Sequence, residues 1–143
     1  EATVRAFLAS VEEEASNEAL VHLTRTLEDD EVRKVFVPLE EETEVWREKS
    51  FSMRLDGKMV NGTFDRVVLR RDSAGNWSKA DIIDFKTDRG VEDESILLAG
   101  AESHRPQLEL YRKALSRLTK LPEESISLVL LFTKGPRLRQ LSA

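Results

Sequence analysis

The chain has 143 residues, a formal net charge of -5 and no cysteine. This length suits about one domain with a buried core, and the lack of cysteine excludes disulfides and thiolate metal sites and favours a cytoplasmic location. No apolar run approaches the ~20 residues that cross a bilayer and no signal peptide opens the chain, so we expect a soluble protein without a membrane partner.

The negative charge is concentrated in the first third of the chain. Residues 1–50 hold 6 Lys and Arg against 14 Asp and Glu, whereas residues 51–143 hold 16 against 13. The later part is net positive, so the acidic total does not exclude a nucleic-acid partner. Its basic side chains are either phosphate contacts or ordinary solvated charges: Arg66, Arg70, Arg71, Lys79, Lys86, Arg89, Arg105, Arg112 and Lys113.

Helices are predicted at the start of the chain. Apolar residues recur at helical spacing in 4–11 and again in 20–27. Residues 32–37 form either a short helical turn or an extended piece. We therefore expect a single domain over 1–143, with a helical N-terminal part over 1–43 and the core over 44–133. The first residue is Glu1 rather than Met, and we expect a fragment of a larger protein.

Three strands are predicted to form a meander. Apolar and polar residues alternate in Glu44 to Leu55, and Val60 to Arg70 is rich in β-branched and apolar residues. The Asp56-Gly57 pair between them is a strong hairpin signal. Turn residues fill 72–76, and the third strand runs from Ala80 to Lys86.

The third strand ends in charged residues that need a partner. Ile82 and Ile83 are both apolar, which predicts a central strand covered on both faces. Asp84 and Lys86 stand two apart and therefore share a face. Charged groups at the end of a buried strand persist only when they are paired, hydrogen-bonded or bound to metal. If the hairpin brings Asp65 beside Asp84, two carboxylates and a lysine predict a Mg²⁺ site.

A helix and a further strand are predicted to complete the sheet. Residues 91–103 are polar and are interpreted as a mobile loop over the substrate or a partly disordered segment. Pro106 then opens a helix that runs to about Leu118, with Gln107 and Tyr111 one turn apart on one face. Ile126 to Phe132 is a continuous apolar run and predicts a buried strand. The remaining residues predict a short edge strand.

Three motifs in this order resemble those of the RecB-like nucleases of the PD-(D/E)xK superfamily. Gly62-Thr63-Phe64-Asp65-Arg66 is similar to their G-x-x-D motif, and Ile83-Asp84-Phe85-Lys86-Thr87 to their D-x-K motif. Gln107-Leu108-Glu109-Leu110-Tyr111 is similar to their Q-x-x-x-Y helix motif. The resemblance implies an α/β fold with the restriction-endonuclease-like core, αβββαβ, in which helices flank a central mixed sheet.

The resemblance also implies roles for these residues in metal-dependent hydrolysis of DNA. Asp65, Asp84 and the Phe85 carbonyl would hold Mg²⁺ or Mn²⁺, and Lys86 would orient or deprotonate the attacking water. Gln107 and Tyr111 would position the scissile strand and the metal-bound groups. Weaker candidates contact DNA phosphates: Arg66, Lys79 and Arg105.

Two assignments have alternatives at this point: the upstream metal ligand and the role of Glu48. The family usually carries a histidine or acidic ligand on a helix before the strands; either His22 supplies it or, as we favour, a residue upstream of Glu1 does. Glu48 matches an acidic position often seen ahead of the motifs. It is either an outer partner of the metal site or, as we favour, the partner of a cross-strand arginine.

The family context implies partners for the chain. Such domains commonly end helicase subunits of the RecB or AddA kind, so the resemblance implies DNA, a UvrD-like helicase portion of the same polypeptide and a second subunit. Their action is exonuclease degradation of broken DNA ends in recombinational DNA repair. The alternatives are a non-catalytic nuclease-fold module for DNA binding or subunit docking, and an α/β interaction domain with chance motifs.

Overall fold

The computed structural model describes residues 28, 30–36, 43–86, 94–132 and 137–141. The helices predicted before residue 28 and the candidate ligand His22 lie outside these residues. A 3₁₀ turn at Glu123–Ser125 precedes the fourth strand. In chain order the other elements are α1 (Asp30–Phe36), β1 (Thr43–Leu55), β2 (Lys58–Arg71), β3 (Trp77–Lys86), α2 (Glu94–Thr119), β4 (Ile126–Phe132) and β5 (Arg137–Leu141).

The strands form one mixed sheet in the order β1-β2-β3-β4-β5. The pairs β1–β2, β2–β3 and β4–β5 are antiparallel, whereas β4 runs parallel to β3. A parallel neighbour requires a crossover connection, and α2 lies in that connection. The predicted order of three meander strands, a helix and a further strand is therefore confirmed, as is the short edge strand β5, and the structure places β4 beside β3.

The β1–β2 hairpin turns through two residues with positive backbone φ. Asp56 has a φ of 48° and Gly57 a φ of 80°, and positive φ at both positions is the requirement of a type I′ turn. Glycine adopts this conformation without steric cost, and aspartate tolerates it better than most residues. Leu55 and Lys58 close the ladder beside the turn, so the predicted hairpin is confirmed.

The start of α2 differs from the prediction. The helix begins at Glu94, with Pro106 inside it, so the loop predicted over 91–103 is wrong for residues 94–103. Proline favours the first turn of a helix, but here it stands in the interior and has no amide hydrogen to donate to the Glu102 carbonyl. Alanine, leucine and glutamate in 94–102 favour a helix, and the Ser103 hydroxyl donates to the Gly100 carbonyl at 2.7 Å.

Apolar side chains cover both faces of the sheet. A smaller cluster lies on the α1 face, where Val32 packs with Val68, Ile83 and Leu131. Ile82 belongs to the α2 face and Ile83 to the α1 face, as predicted for a central strand. The larger cluster lies on the α2 face and includes Phe51, Phe64, Val67, Leu69, Ile82, Leu108, Tyr111, Leu115, Leu128, Leu130 and Phe132.

We predict that Leu115→Ala lowers the free energy of unfolding by about 2–5 kcal/mol, because deleting a buried leucine leaves a cavity. Leu115 is 0% exposed, whereas Leu118 on the same helix is 47% exposed. The matched control Leu118→Ala should therefore stay within about 0.5 kcal/mol of the wild type. Urea unfolding followed by circular dichroism measures both, and equal losses at the two positions would contradict this packing.

Candidate active site

The site lies where β2 and β3 part. Their ladder extends from Arg71 paired with Trp77 to Arg66 paired with Ile83. Asp65 and Asp84 occupy the next position along the two strands. There the Asp65 carboxylate accepts the Phe85 backbone N–H at 2.9 Å. A side chain thus satisfies a backbone donor at the point where the strands separate, and Asp65 is held at the end of β3.

The side-chain alternation of β2 changes at Asp65. Phe64 and Val67 both belong to the α2-face cluster although they stand three apart. Regular alternation would send them to opposite faces, so the strand twists between them. The neighbouring strand has a matching irregularity: Glu48 has a φ of 46°, and the β1–β2 ladder passes from Arg47–Arg66 to Lys49–Phe64 without a pair between them. The twist re-aims the Asp65 carboxylate towards β3.

Glu48 does not support the favoured interpretation of its role. Its side chain is exposed, and it forms no ion pair with an arginine in the described part of the chain. A non-glycine residue with positive φ is uncommon in a strand. Glu48 therefore marks the irregularity next to the site, and neither a cross-strand arginine pair nor a contact to Asp84 is observed for it among the described residues.

Asp84 and Lys86 meet on the α2 side of β3. The Lys86 Nζ lies 2.7 Å from the Asp84 Oδ2, and the two side chains are 17% and 7% exposed. Phe85 points to the other face, where its ring stacks on Phe36 with centroids 6.0 Å apart. The predicted shared face of Asp84 and Lys86 is thus present, and the ion pair lies within the site rather than on the surface.

Burial raises the pKa of the Asp84 carboxyl above its ordinary value. The charge of Asp65 raises this pKa further, whereas the hydrogen bond and the charge of Lys86 and the charge of His104 lower it. The net direction is upward because desolvation disfavours the carboxylate more than the lysine stabilises it. Two carboxylates are therefore close enough to repel, and additional positive charge would stabilise them.

Gln107 and Tyr111 lie beside this pair, one turn apart on α2. The Gln107 Oε1 accepts from the Lys86 Nζ at 3.5 Å. The Gln107 Nε2 donates to the Tyr111 hydroxyl at 3.4 Å. Both hydrogen bonds are long, but they join the helix motif to the strand motif through Lys86.

His104 is a member of the site that the sequence analysis missed. It is half-buried, and its charge acts on Asp84. It stands three residues before Gln107 and seven before Tyr111, a spacing that shares one helix face. That signal was available, but the helix was predicted to begin at Pro106, which left His104 in the preceding loop.

The three predicted phosphate contacts do not converge on the site. Arg66 is 5% exposed and lies on the α1 face, with its guanidinium 5.2 Å from the Phe36 ring. Burial, and then the charge of Arg47, lowers its pKa. Its Nε has no hydrogen-bond partner among the described residues. A buried guanidinium is poorly placed to contact a DNA phosphate directly.

The other two predicted contacts differ from Arg66 in their surroundings. Lys79 is exposed and pairs in register with Arg70, far along β3 from Asp84. Arg105 is bound to Glu102 at 2.7 Å and lies 3.9 Å from Glu109. Lys79 therefore presents a cation to solvent, whereas the charge of Arg105 is largely compensated.

The metal-ligating groups in the described part of the chain are few. Asp65 and Asp84 are two carboxylates, and no group of three or more His, Cys, Asp or Glu side chains that could hold a metal is found among the described residues. Mg²⁺ commonly binds through one or two carboxylates and keeps several waters. The two aspartates fit that pattern, in which main-chain carbonyls, waters and substrate oxygens complete the coordination.

Comparison with known proteins identifies the family. The family model for the PD-(D/E)XK nuclease superfamily matches residues 1–142. The chain belongs to the PD-(D/E)XK nuclease superfamily. The predicted restriction-endonuclease-like fold is confirmed, and the motif residues interpreted above lie within the matched range.

One relative of this PD-(D/E)XK chain is a helicase-nuclease. Over 110 residues the chain is 34% identical to a subunit of the ATP-dependent helicase/nuclease of Limosilactobacillus fermentum (strain NBRC 3956 / LMG 18251). The match covers 70% of this chain and 8% of that relative, so the chain spans a small part of its relative. Within the described ranges, no helix combines the length and apolar character needed to cross a membrane.

We predict that Asp84→Asn raises the free energy of unfolding at pH 7 in metal-free buffer. A carboxyl whose pKa is raised on folding stabilises the folded protein most at pH values below its unfolded pKa, which is about 3.9 for aspartate. This stabilisation is lost as the pH rises through the folded pKa. Asparagine does not ionise, so the variant avoids this loss of stability at pH 7. The difference in free energy of unfolding between the variant and the wild type should therefore shrink as the pH falls towards 4.

The matched control for this substitution is Asp81→Asn, on the same strand. Asp81 forms an ion pair with Arg70 at 2.7 Å and is less buried than Asp84. Urea unfolding between pH 4 and pH 8 measures both variants. A variant at Asp84 that is less stable than the wild type at pH 7 would contradict the assigned desolvation.

Proposed function

We propose that this chain hydrolyses DNA phosphodiester bonds with a divalent metal ion bound at Asp65 and Asp84. The observation that carries the proposal is the meeting of these carboxylates with Lys86 where β2 and β3 part. Membership of the PD-(D/E)XK nuclease superfamily supports it. The reaction class is metal-assisted hydrolysis of a phosphate diester.

The donor set suits Mg²⁺ or Mn²⁺. Asp65, Asp84 and the Phe85 carbonyl supply oxygen ligands, which these hard cations prefer. The raised pKa of Asp84 is a further argument, because a bound cation would relieve the repulsion that Asp65 adds. When bound, the ion would polarise the scissile phosphate and lower the pKa of a coordinated water.

Lys86 would handle the attacking water. Its Nζ is held between the Asp84 carboxylate and the Gln107 amide oxygen, and it is 17% exposed, so a water can reach it. An ammonium only donates hydrogen bonds. Lys86 would therefore orient the water or a phosphate oxygen, or accept a proton from the water after losing its own.

The cellular setting is proposed by analogy with the relative. That protein is named as a subunit of an ATP-dependent helicase/nuclease. We extend this to a chain that acts as the nuclease domain of a larger helicase-nuclease polypeptide of the UvrD-like kind, with a second subunit, in the cytoplasm. Exonuclease degradation of broken DNA ends in recombinational repair would be its role.

We predict that Asp84→Asn and Lys86→Met each lower cleavage of linear DNA in Mg²⁺ or Mn²⁺ by about 10²-fold or more, the range typical of lost acid–base catalysis. Asp81→Asn and Lys120→Met are matched controls that change the same residue types outside the site, Lys120 being exposed at the end of α2, and they should cleave like the wild type. Gel assays on end-labelled single- and double-stranded DNA measure all five proteins.

Two outcomes of this assay would count against the proposal. Equal cleavage by the wild type and the Asp84 and Lys86 variants would assign the activity to another site. A wild type that binds DNA but does not cleave it in either metal would favour the alternative function, a non-catalytic nuclease-fold module.

A further inference from the structure

Gly62 is packed against aromatic rings where no side chain fits. A Cβ at this position would lie 2.7 Å from the Phe51 Cζ and 2.8 Å from the Tyr111 Cε1. Carbon atoms normally approach to about 3.5–4.0 Å. Gly57 and Gly75 have positive φ, but Gly62 does not share that conformation. Space, rather than backbone freedom, therefore requires glycine at position 62.

The rings beside Gly62 hold Tyr111 in one place. The Tyr111 ring lies edge-on to Phe51 and to Phe64, with centroids 5.4 Å apart in each pair. Phe51 and Phe64 are themselves 4.7 Å apart. Such edge-to-face contacts have preferred geometries, and a close-packed cluster transmits displacement rather than absorbing it. A methyl group at position 62 would have to move Phe51, Tyr111 or both.

Tyr111 is connected to Lys86 through one side chain. The Gln107 amide oxygen accepts from Lys86 at 3.5 Å, and its nitrogen donates to the Tyr111 hydroxyl at 3.4 Å. A lysine ammonium can only donate, so the amide oxygen must face Lys86 and the amide nitrogen must face Tyr111. Lys86 thus fixes the orientation of the amide, and the Tyr111 hydroxyl is the second partner that holds Gln107 within reach of the ammonium.

We propose that Gly62 is a positioning residue that acts through Tyr111 and Gln107 on the direction of the Lys86 ammonium. The absent side chain at 62 lets Tyr111 sit against β2, and Gln107 then reaches both Tyr111 and Lys86. The two hydrogen bonds are near the limit of useful length, so a ring displacement of a few tenths of an ångström breaks the connection. The consequence for cleavage rests on the proposed function.

The first test compares two glycine-to-alanine variants of this chain. Gly62→Ala should lower kcat by about 10-fold to 100-fold with little change in KM, because misplaced catalytic groups reduce the rate without removing DNA contacts. Gly100→Ala is the matched control, since a Cβ there meets nothing within 4 Å. Equal kcat in a folded Gly62→Ala variant and the wild type would overturn the proposal.

The second test does not depend on activity or on the folding of the Gly62 variant. Tyr111 is the one tyrosine of the chain, so ring-¹³C tyrosine gives a single set of NMR signals. Lys86→Met should shift these signals, and a Gln107→Ala background should abolish that shift. Lys58→Met, at an exposed hairpin position, should leave the signals in place.

The outcomes of the two tests separate this proposal from the proposed function. If the wild type does not cleave DNA but the Tyr111 signals respond to Lys86→Met through Gln107, the nuclease proposal would be wrong. The proposed contact of Tyr111 with Lys86 through Gln107 would still be supported. The proposal would be overturned if Lys86→Met left the Tyr111 signals unchanged, or if it shifted them equally with and without Gln107. This holds whatever the result of the cleavage assay.

Discussion

The burial of the Asp84 carboxylate is the constraint on which the site depends. Asp84 is 5% exposed and stands near the end of a central strand. Desolvation of a carboxylate is costly unless positive charge or hydrogen bonds offset it. Lys86 offsets part of this cost, yet the pKa of Asp84 is still raised above its ordinary value. The charge of Asp65 raises this pKa further. The two neighbouring carboxylates therefore leave negative charge at the end of β3 that Lys86 only partly offsets.

The separation of β2 from β3 makes this arrangement possible. A regular ladder through Asp65 would bond its backbone to β3 and direct its side chain to one face. Instead, the carboxylate accepts the Phe85 N–H, and the alternation of β2 changes on either side of it. Irregularities of this kind often re-aim side chains next to active sites. The local loss of strand pairing therefore brings the Asp65 carboxylate to the end of β3.

Much of the fold was predictable because local patterns and tertiary packing agree. The Asp56-Gly57 turn, the alternation through Asp84 and Lys86, and the apolar run of Ile126 to Phe132 each correspond to an observed feature. The start of α2 was not predictable from Pro106, since proline in the first turn of a helix and proline inside a helix cannot be distinguished from the local sequence alone. That ambiguity also hid His104.

The contacts of the charged residues were harder to predict from the sequence. Nothing in the order Asp65-Arg66 indicates that the arginine lies buried against Phe36, because burial depends on where α1 packs. The space requirement at Gly62 also depends on contacts with two distant rings, Phe51 and Tyr111. Sequence spacing indicates which residues share a face, whereas the packing of α1 and α2 determines what each face meets.

Anomalous diffraction at the manganese edge from crystals of this chain soaked in Mn²⁺ tests the central claim most directly. We expect a peak within coordinating distance of both Asp65 and Asp84 that disappears in Asp84→Asn crystals. Manganese bound only elsewhere, or a peak at this position that persists without the Asp84 carboxylate, would contradict it.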